Sequence, residues 1–497
     1  MKIAWRLPSD LRRDLVAITP AVGGYLAVVV YRIQIAPFWI GGLYDDGGYF
    51  LMSRNVWKYG APLLDHTGST EWPQFWSPGV SLILAPLGAL PLEASVLAER
   101  LAIAAIGIGV LVLTYSWSRR ELGLSRLAAG ATAACLGLAP AFTTYGSVVM
   151  SDIPGTAALL GGIVLLRRDS IALGTGVLVA AYCIRTSNLA ALAAAVLWLV
   201  LQRRGRDARL SLLIAVLGGG AWSLLQLSQG ATGYLSEITR RTVGVPVSGT
   251  IGLGDLAHRV ADNVWAIAGG GAGSLIAGLF ESQRLSAHGR ILPTLLSLAF
   301  FAAAGIGLWR ARLLLEALVV FGVAGTVIVW PYEDYSRFLL PVAPLLFGAA
   351  ATALVRSGRV LGIVAATVVC GALASNVNAF TTLTTYSDSA RTQQSEIHAA
   401  YRWIEDHAGR DDVVISPNDI QCFLYSGHVS TRDAGAFRPG RTFVFVELNN
   451  PAIDARKLLD LYAGRVVFSN QVAKIVHATR RRQLSSAREH ETEPRQP

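Results

Sequence analysis

Charge is what this sequence has least of. Of its 497 residues only 15% are Asp, Glu, Lys or Arg, against about 25% in an ordinary soluble domain. With 53% apolar residues and a mean hydropathy of +0.45, a soluble globule and a disordered chain are both excluded. Lysine is nearly missing, present only at Lys2, Lys58, Lys457 and Lys474. Cysteine is scarce as well: Cys135, Cys183 and Cys370 lie in apolar segments and Cys422 in a polar tail, which leaves no disulfide framework and no zinc spacing. There is no Asn-x-Ser/Thr sequon, no internal repeat, and no GxGxxG or P-loop at the strand-like ends of the tail.

Apolar runs fill the chain instead, recurring from Leu15 to Ala379 at lengths that match a bilayer's hydrocarbon core. They are too long for the strands of a membrane β-barrel. The formal charge of +10 comes from arginines gathered in short turns between these runs, which is a topology signal and not a nucleic-acid footprint. Those turns are Lys2 to Arg13, Arg119 to Arg126, Arg167 to Arg168, Arg203 to Arg209, Arg310 to Arg312 and Arg356 to Arg359. Placed in the cytoplasm, they require two spans between successive turns. The runs supply them: Leu15 to Ala36, Ala94 to Trp117, Leu127 to Phe142, Val148 to Leu166, Ile171 to Ile184, Leu189 to Leu201, Leu210 to Leu227, Ile291 to Trp309, Leu313 to Trp330, Phe338 to Val355 and Val360 to Ala379. The first reads as a retained span with a basic flank, not a cleaved signal peptide. Val80 to Leu90 and Val264 to Phe280 break the parity and read as interfacial or re-entrant pieces.

The expected fold is therefore an α-helical polytopic membrane protein of about 11 transmembrane helices, with the N-terminus cytoplasmic and a small C-terminal α/β extracytoplasmic domain. The membrane domain spans 1–380, with a first external loop at 37–93. The soluble domain spans 386–480: helical Ser395 to His407, strand-like Val413 to Ser416 and Thr442 to Val446, helical Ile453 to Tyr462, then strand-like Arg465 to Phe468. Residues 481–497 read as a disordered tail. The arginine excess over lysine fits a GC-rich bacterial genome and a bacterial plasma (inner) membrane.

The chemistry-bearing residues collect on the external side. The first loop carries Gly41-Gly-Leu-Tyr-Asp45-Asp46-Gly-Gly-Tyr49, an amphipathic stretch to Gly60, and Trp72-Pro-Gln-Phe-Trp76-Ser-Pro78. Adjacent carboxylates just beyond a span can take a proton from an acceptor hydroxyl while a lipid-borne donor approaches from the bilayer; an Asp-Asp-Gly turn in solvent uses the same residues. Later external edges hold Ser151-Asp152-Ile-Pro154, Arg185, and Trp330-Pro-Tyr332-Glu-Asp-Tyr335-Ser-Arg337-Phe-Leu-Leu-Pro341. Asp152 also suits a helix N-cap, and Arg337 a snorkelling interface arginine.

These patches, in this order, resemble the GT-C glycosyltransferases, above all the branch of protein O-mannosyltransferases and lipid A aminoarabinose transferases. The resemblance covers about Leu15 to Val355, and the last patch looks like that family's Arg-Tyr/Phe-(apolar)-Pro element. It implies a GT-C-like glycosyltransferase that moves a sugar from a polyprenyl-phosphate donor to an acceptor lipid, glycan or protein, inverting, at the outer face. It implies catalytic carboxylates at Asp45, as base, and Asp46, as second choice. It implies donor-phosphate or acceptor binding by Asp152, Arg185, Arg337 and Tyr49, and a divalent metal ion that His66 and Glu71 would help to hold. Glu71 precedes Trp72 where the lipid A branch commonly has a lysine, which weakens an aminoarabinose assignment. A transporter or flippase of lipid-linked sugars would show repeats and mid-membrane charges; an O-antigen-ligase-like enzyme would place its key loop late in the chain.

Overall fold

A computed structural model describes residues 9–35, 39–43, 45–73, 76–230, 238–240, 250–276, 291–332, 334–356, 373–374, 376–377, 391–448, 459 and 461–481. Most of the expected Val360 to Ala379 span, the Ile453 to Tyr462 helix and the 482–497 tail lie outside these residues. The other ten apolar runs are helical, and four helices among the described residues are long and apolar enough to cross a bilayer: Asp10–Ile35, Leu92–Arg120, Gly205–Ser228 and Tyr335–Val355. The remaining apolar helices are shorter.

The membrane part runs α1 (Ser9–Ile35), α2 (Asp45–Tyr59), α3 (Gly79–Leu84), α4 (Leu92–Arg120), α5 (Arg126–Leu138), α6 (Pro140–Tyr145), α7 (Asp152–Arg167), α8 (Ile171–Ile184) and α9 (Leu189–Leu201). Then come α10 (Gly205–Ser228), α11 (Leu253–Ala266), α12 (Ile291–Arg310), α13 (Leu314–Val329) and α14 (Tyr335–Val355). Two runs expected as single spans break at the ends expected to be external. Ala139 is extended ahead of Pro140, as a residue before proline prefers, so Leu127 to Phe142 divides into α5 and α6. Val148 to Ser151 stays outside α7, which starts at Asp152. Of the two parity-breaking pieces, Val80 to Leu90 is α3 plus a 3₁₀ turn, and Val264 to Phe280 is, as far as its described residues go, the end of α11 followed by broken π and 3₁₀ turns.

The arginine turns are tied to neighbouring helices by ion pairs. The turns after α7, α9 and α12 each use a non-glycine residue with positive φ, namely Asp169, Arg203 and Arg312. Arg204 meets Asp169 at 2.6 Å and Asp207 at 2.8 Å. Arg126 holds Asp14 and Asp10 of α1 at 2.7 and 2.8 Å, and Arg167 forks onto the buried Glu316 of α13.

The C-terminal domain begins with α15 (391–407) and contains β1 (Val413–Ile415), α16 (Asp419–Ser426), β2 (Ser430–Thr431), β3 (Thr442–Glu447), β4 (Tyr462–Ser469) and β5 (Ala473–Arg481). The sheet order is β2-β1-β3-β5-β4, parallel across the first three strands and antiparallel at β5 and β4. Tyr401, Ile404, Cys422, Phe443, Phe445 and Ile475 form its core. Strand β5 carries Arg480 and Arg481, so pairing with β4 continues into the stretch read as polar tail.

Candidate active site

Four segments from different parts of the chain meet at one corner of the helical bundle. The first is the N-terminal turn of α2. Asp46 is 1% exposed and its carboxylate accepts the Gly41 and Leu43 N–H groups, both at 3.1 Å, so it fixes the loop that enters the helix. Burial pushes its carboxyl up to about 6, the backbone N–H bonds opposing that rise. Asp45, beside it, faces outward from the same turn, where the helix dipole favours a carboxylate. Trp76 Nε1 donates to Asp45 Oδ1 at 3.0 Å. Gly48 permits this: a Cβ there would stand 2.8 Å from the Trp76 ring.

The second segment is the start of α7. Asp152 is the helix's first residue, not its N-cap, and is fully buried. The third is Arg185, in the extended residue that ends α8 before a 3₁₀ turn leads into α9. The fourth is Arg337 in the first turn of α14. Trp330 is extended before Pro331 and stops α13; Asp334 then caps α14 by accepting the Arg337 N–H at 3.2 Å.

The side chains form a row of alternating charge. Arg337 Nη2 contacts Asp45 Oδ2 at 2.7 Å and its Nε faces Asp152 Oδ2 at 3.4 Å. Arg185 Nη1 pairs with the other Asp152 oxygen, and its Nη2 reaches the Arg337 carbonyl at 3.4 Å. Aromatic rings shield the row. Arg337 lies 5.7 Å from the Tyr145 ring centre, and both arginines lie over Phe338. Tyr145 donates to Asp334 Oδ2 at 2.6 Å, and burial raises its phenol above the ordinary range. The row is closed at one end and open at the other: side-chain exposure is 8% for Arg185 and 0% for Asp152, but 17% for Arg337 and 26% for Asp45.

Of the residues singled out in the sequence, Asp45, Asp152, Arg185 and Arg337 therefore come together. Tyr49 stands close by, donating to Ser151 Oγ at 3.0 Å. Asp46 holds backbone instead of facing the corner. His66 and Glu71 form no group of metal-ligating side chains with Asp45 or Asp152 among the described residues. His66 faces Asp419 of the C-terminal domain at 3.5 Å, and Glu71 accepts from Ser69 at 2.7 Å on the exposed side of a short bridge between Leu64 and Glu71. Trp76, Tyr145 and Asp334 received no role from the sequence; Asp334 was legible as a capping residue three positions before Arg337.

No family model matches the sequence, and no curated protein matches it either. Solved structures do match. ArnT from Cupriavidus metallidurans bound to undecaprenyl phosphate aligns with a TM-score of 0.57 at 14% identity, over 93% of this chain and 98% of its own. The same protein in the apo state gives 0.55 at 13% identity, over 87% and 92%. An Archaeoglobus fulgidus oligosaccharyltransferase, in complex with Zn and sulfate, gives 0.51 at 12% identity, over 91% and 73%. The chain shares the fold of these proteins.

Both carboxylates of the row already face guanidinium groups, and among the described residues no three His, Cys, Asp or Glu side chains converge on a cation position.

Two stability predictions follow from the burial. Asp152→Ala leaves two enclosed arginines without their common carboxylate and is expected to cost about 3–5 kcal/mol, whereas Asp45→Asn, at the open end, costs less. Thermal midpoints in detergent check the order, and a larger loss for Asp45→Asn contradicts it. The second concerns Asp46. Its carboxyl titrates higher in the folded protein than in the unfolded chain, so its contribution to stability is greatest below about pH 4 and is lost as pH rises through 6. Relative to the non-titrating Asp46→Asn, the wild type should therefore lose about 2 kcal/mol from pH 4 to pH 7, read as a wild-type midpoint that falls relative to that of Asp46→Asn; one that rises relative to it contradicts the prediction.

Proposed function

We propose that this protein is a glycosyltransferase that moves a sugar from a polyprenyl-phosphate donor to an acceptor hydroxyl, with inversion, at the extracytoplasmic face of a bacterial plasma membrane. The observation that carries the reading is the 2.7 Å contact between Asp45 and Arg337 at the open end of an otherwise enclosed row of charges. A carboxylate able to accept a proton and a guanidinium able to hold a phosphate stand side by side there, on segments far apart in the chain. The fold shared with ArnT and the undecaprenyl phosphate bound to that protein support the donor class.

The reaction proceeds by displacement. The donor's phosphate takes up Arg337, with Arg185 behind it, and so releases the Asp45 carboxylate from its ion pair. The acceptor oxygen attacks the anomeric carbon from the side opposite the phosphate. The new C–O bond forms as the bond from anomeric carbon to phosphate oxygen breaks, the acceptor's proton passes to Asp45, and polyprenyl phosphate departs with the electron pair. Arg337 stabilises the charge that develops on the leaving phosphate, and a guanidinium fork matches its oxygens. Asp152 keeps both arginines aimed at the same place. The corner's own cations carry this role, so no step is routed through a metal ion.

The test is release of polyprenyl phosphate from polyprenyl-phosphate sugars by the purified protein in lipid nanodiscs. Asp45→Asn is expected to lower the rate by about 10²- to 10⁴-fold, the range of a lost general base, while undecaprenyl phosphate still binds, and EDTA is expected to leave the wild-type rate unchanged. Undiminished release by Asp45→Asn, or a loss on chelation that a divalent ion restores, contradicts the mechanism.

A further inference from the structure

The loop that delivers Asp45 is held from two sides, and one of them is the C-terminal domain. Asn418, Gln421 and Tyr425, at and just before α16, reach across to Ile40 and Gly41. Tyr425 Oη accepts the Ile40 N–H at 3.0 Å, Gln421 Nε2 donates to the Ile40 carbonyl at 3.0 Å, and Asn418 Nδ2 donates to the Gly41 carbonyl at 2.6 Å. The remaining polar backbone group of this dipeptide, the Gly41 N–H, belongs to Asp46. All four groups thus have a side-chain partner, three of them from a domain more than 370 residues away in sequence.

The clamp is itself fixed. Gln421 is 2% exposed, and its Oε1 accepts from Tyr401 Oη at 3.1 Å and from Asn418 Nδ2 at 3.3 Å. Tyr425 stacks on Tyr401 and tilts against His398. The approach is close enough to demand glycine: Gly41 has φ +85°, and a Cβ there would stand 2.8 Å from Gln421 Cβ. On the next turn, Ile420 packs against Gly47, whose added Cβ would meet it at 3.0 Å.

We propose that Gln421, Asn418 and Tyr425 are positioning residues for Asp45, making the C-terminal domain a clamp that sets the first turn of α2 against Arg337. The inference rests on the reading of Asp45 as base. The path is short and continuous: α16 holds Ile40 and Gly41, Asp46 holds Gly41 and Leu43, and Asp45 is the neighbouring residue at the head of the same helix. Asp152, at the start of α7, and Arg185, just after α8, are held by their own ion pair. Loosening the clamp therefore displaces the carboxylate while leaving the phosphate-binding arginines in place.

The test uses the full chain in nanodiscs, with kcat and donor KM for polyprenyl phosphate release and, separately, affinity for undecaprenyl phosphate alone. Gln421→Ala is expected to lower kcat by about 10- to 100-fold, the cost of displacing a catalytic group by around 1 Å, with donor KM and undecaprenyl phosphate affinity within about twofold of wild type. Tyr425→Phe, which removes one oxygen and keeps the ring stack, should move in the same direction and decides the matter if Gln421→Ala does not accumulate as folded protein. Unchanged kcat in the variants that fold, or kcat and affinity falling together, overturns the proposal. Asp45→Asn is assayed alongside. If it retains activity, the base reading fails and this inference with it; if it is inactive while the clamp variants keep full kcat, the clamp alone fails.

Discussion

A buried charge must be met by an opposite one, and in this protein that requirement fixes where four segments converge. Asp152 is fully enclosed at the start of α7, a position that would be prohibitive for a lone carboxylate in an apolar bundle. Arg185 and Arg337 answer it, and to do so α8 must end at Arg185 and α14 must begin just before Arg337. The breaks between helices on this face are consequences of the row. Extended residues ahead of Pro140 and Pro331 and the Asp334 cap supply the local means.

The row is electrically balanced, with two carboxylates and two guanidinium groups, yet its two ends differ. Arg185 is closed in, whereas Asp45 is partly open. On the proposed reading, that asymmetry is the functional part. Arg337 has one permanent anion in Asp152 and one replaceable anion in Asp45, so an incoming phosphate can exchange with the second without disturbing the first. The corner is then charged and ordered before a donor arrives, which reduces the reorganisation required in the reaction itself. The clamp from α16 belongs to the same logic, because a carboxylate at an open edge needs its backbone held from outside the membrane helices.

The sequence made much of this legible, for physical reasons. Lipid exposure demands long apolar runs, so the helices stand out, and the arginine turns mark their ends. Asp45, Asp152, Arg185 and Arg337 were conspicuous because charge is rare in such a chain and costly near the bilayer. Asp45 was ranked over Asp46 by the resemblance alone, not by the chemistry of the two residues. They are neighbours of one chemical type, and only the fold turns one onto the Gly41 and Leu43 N–H groups and the other toward Arg337. His66 and Glu71 looked available for a metal because they are polar and close in sequence to Asp45. In three dimensions His66 is drawn to Asp419, a partner more than 350 residues later. The clamp was invisible for the same reason, since Asn418, Gln421 and Tyr425 are ordinary residues until the C-terminal domain docks. Strand β5 was missed because its alternation ends in arginines that read as tail.

The central claim is that Arg337 exchanges Asp45 for the donor's phosphate. A structure of the protein with undecaprenyl phosphate in nanodiscs tests this most directly. The account predicts the phosphate on Arg337, Asp152 still paired with Arg185, and the Asp45 carboxylate separated from Arg337 and facing an open position beside the phosphate. A phosphate bound away from Arg337, with the 2.7 Å contact between Asp45 and Arg337 intact, would contradict it.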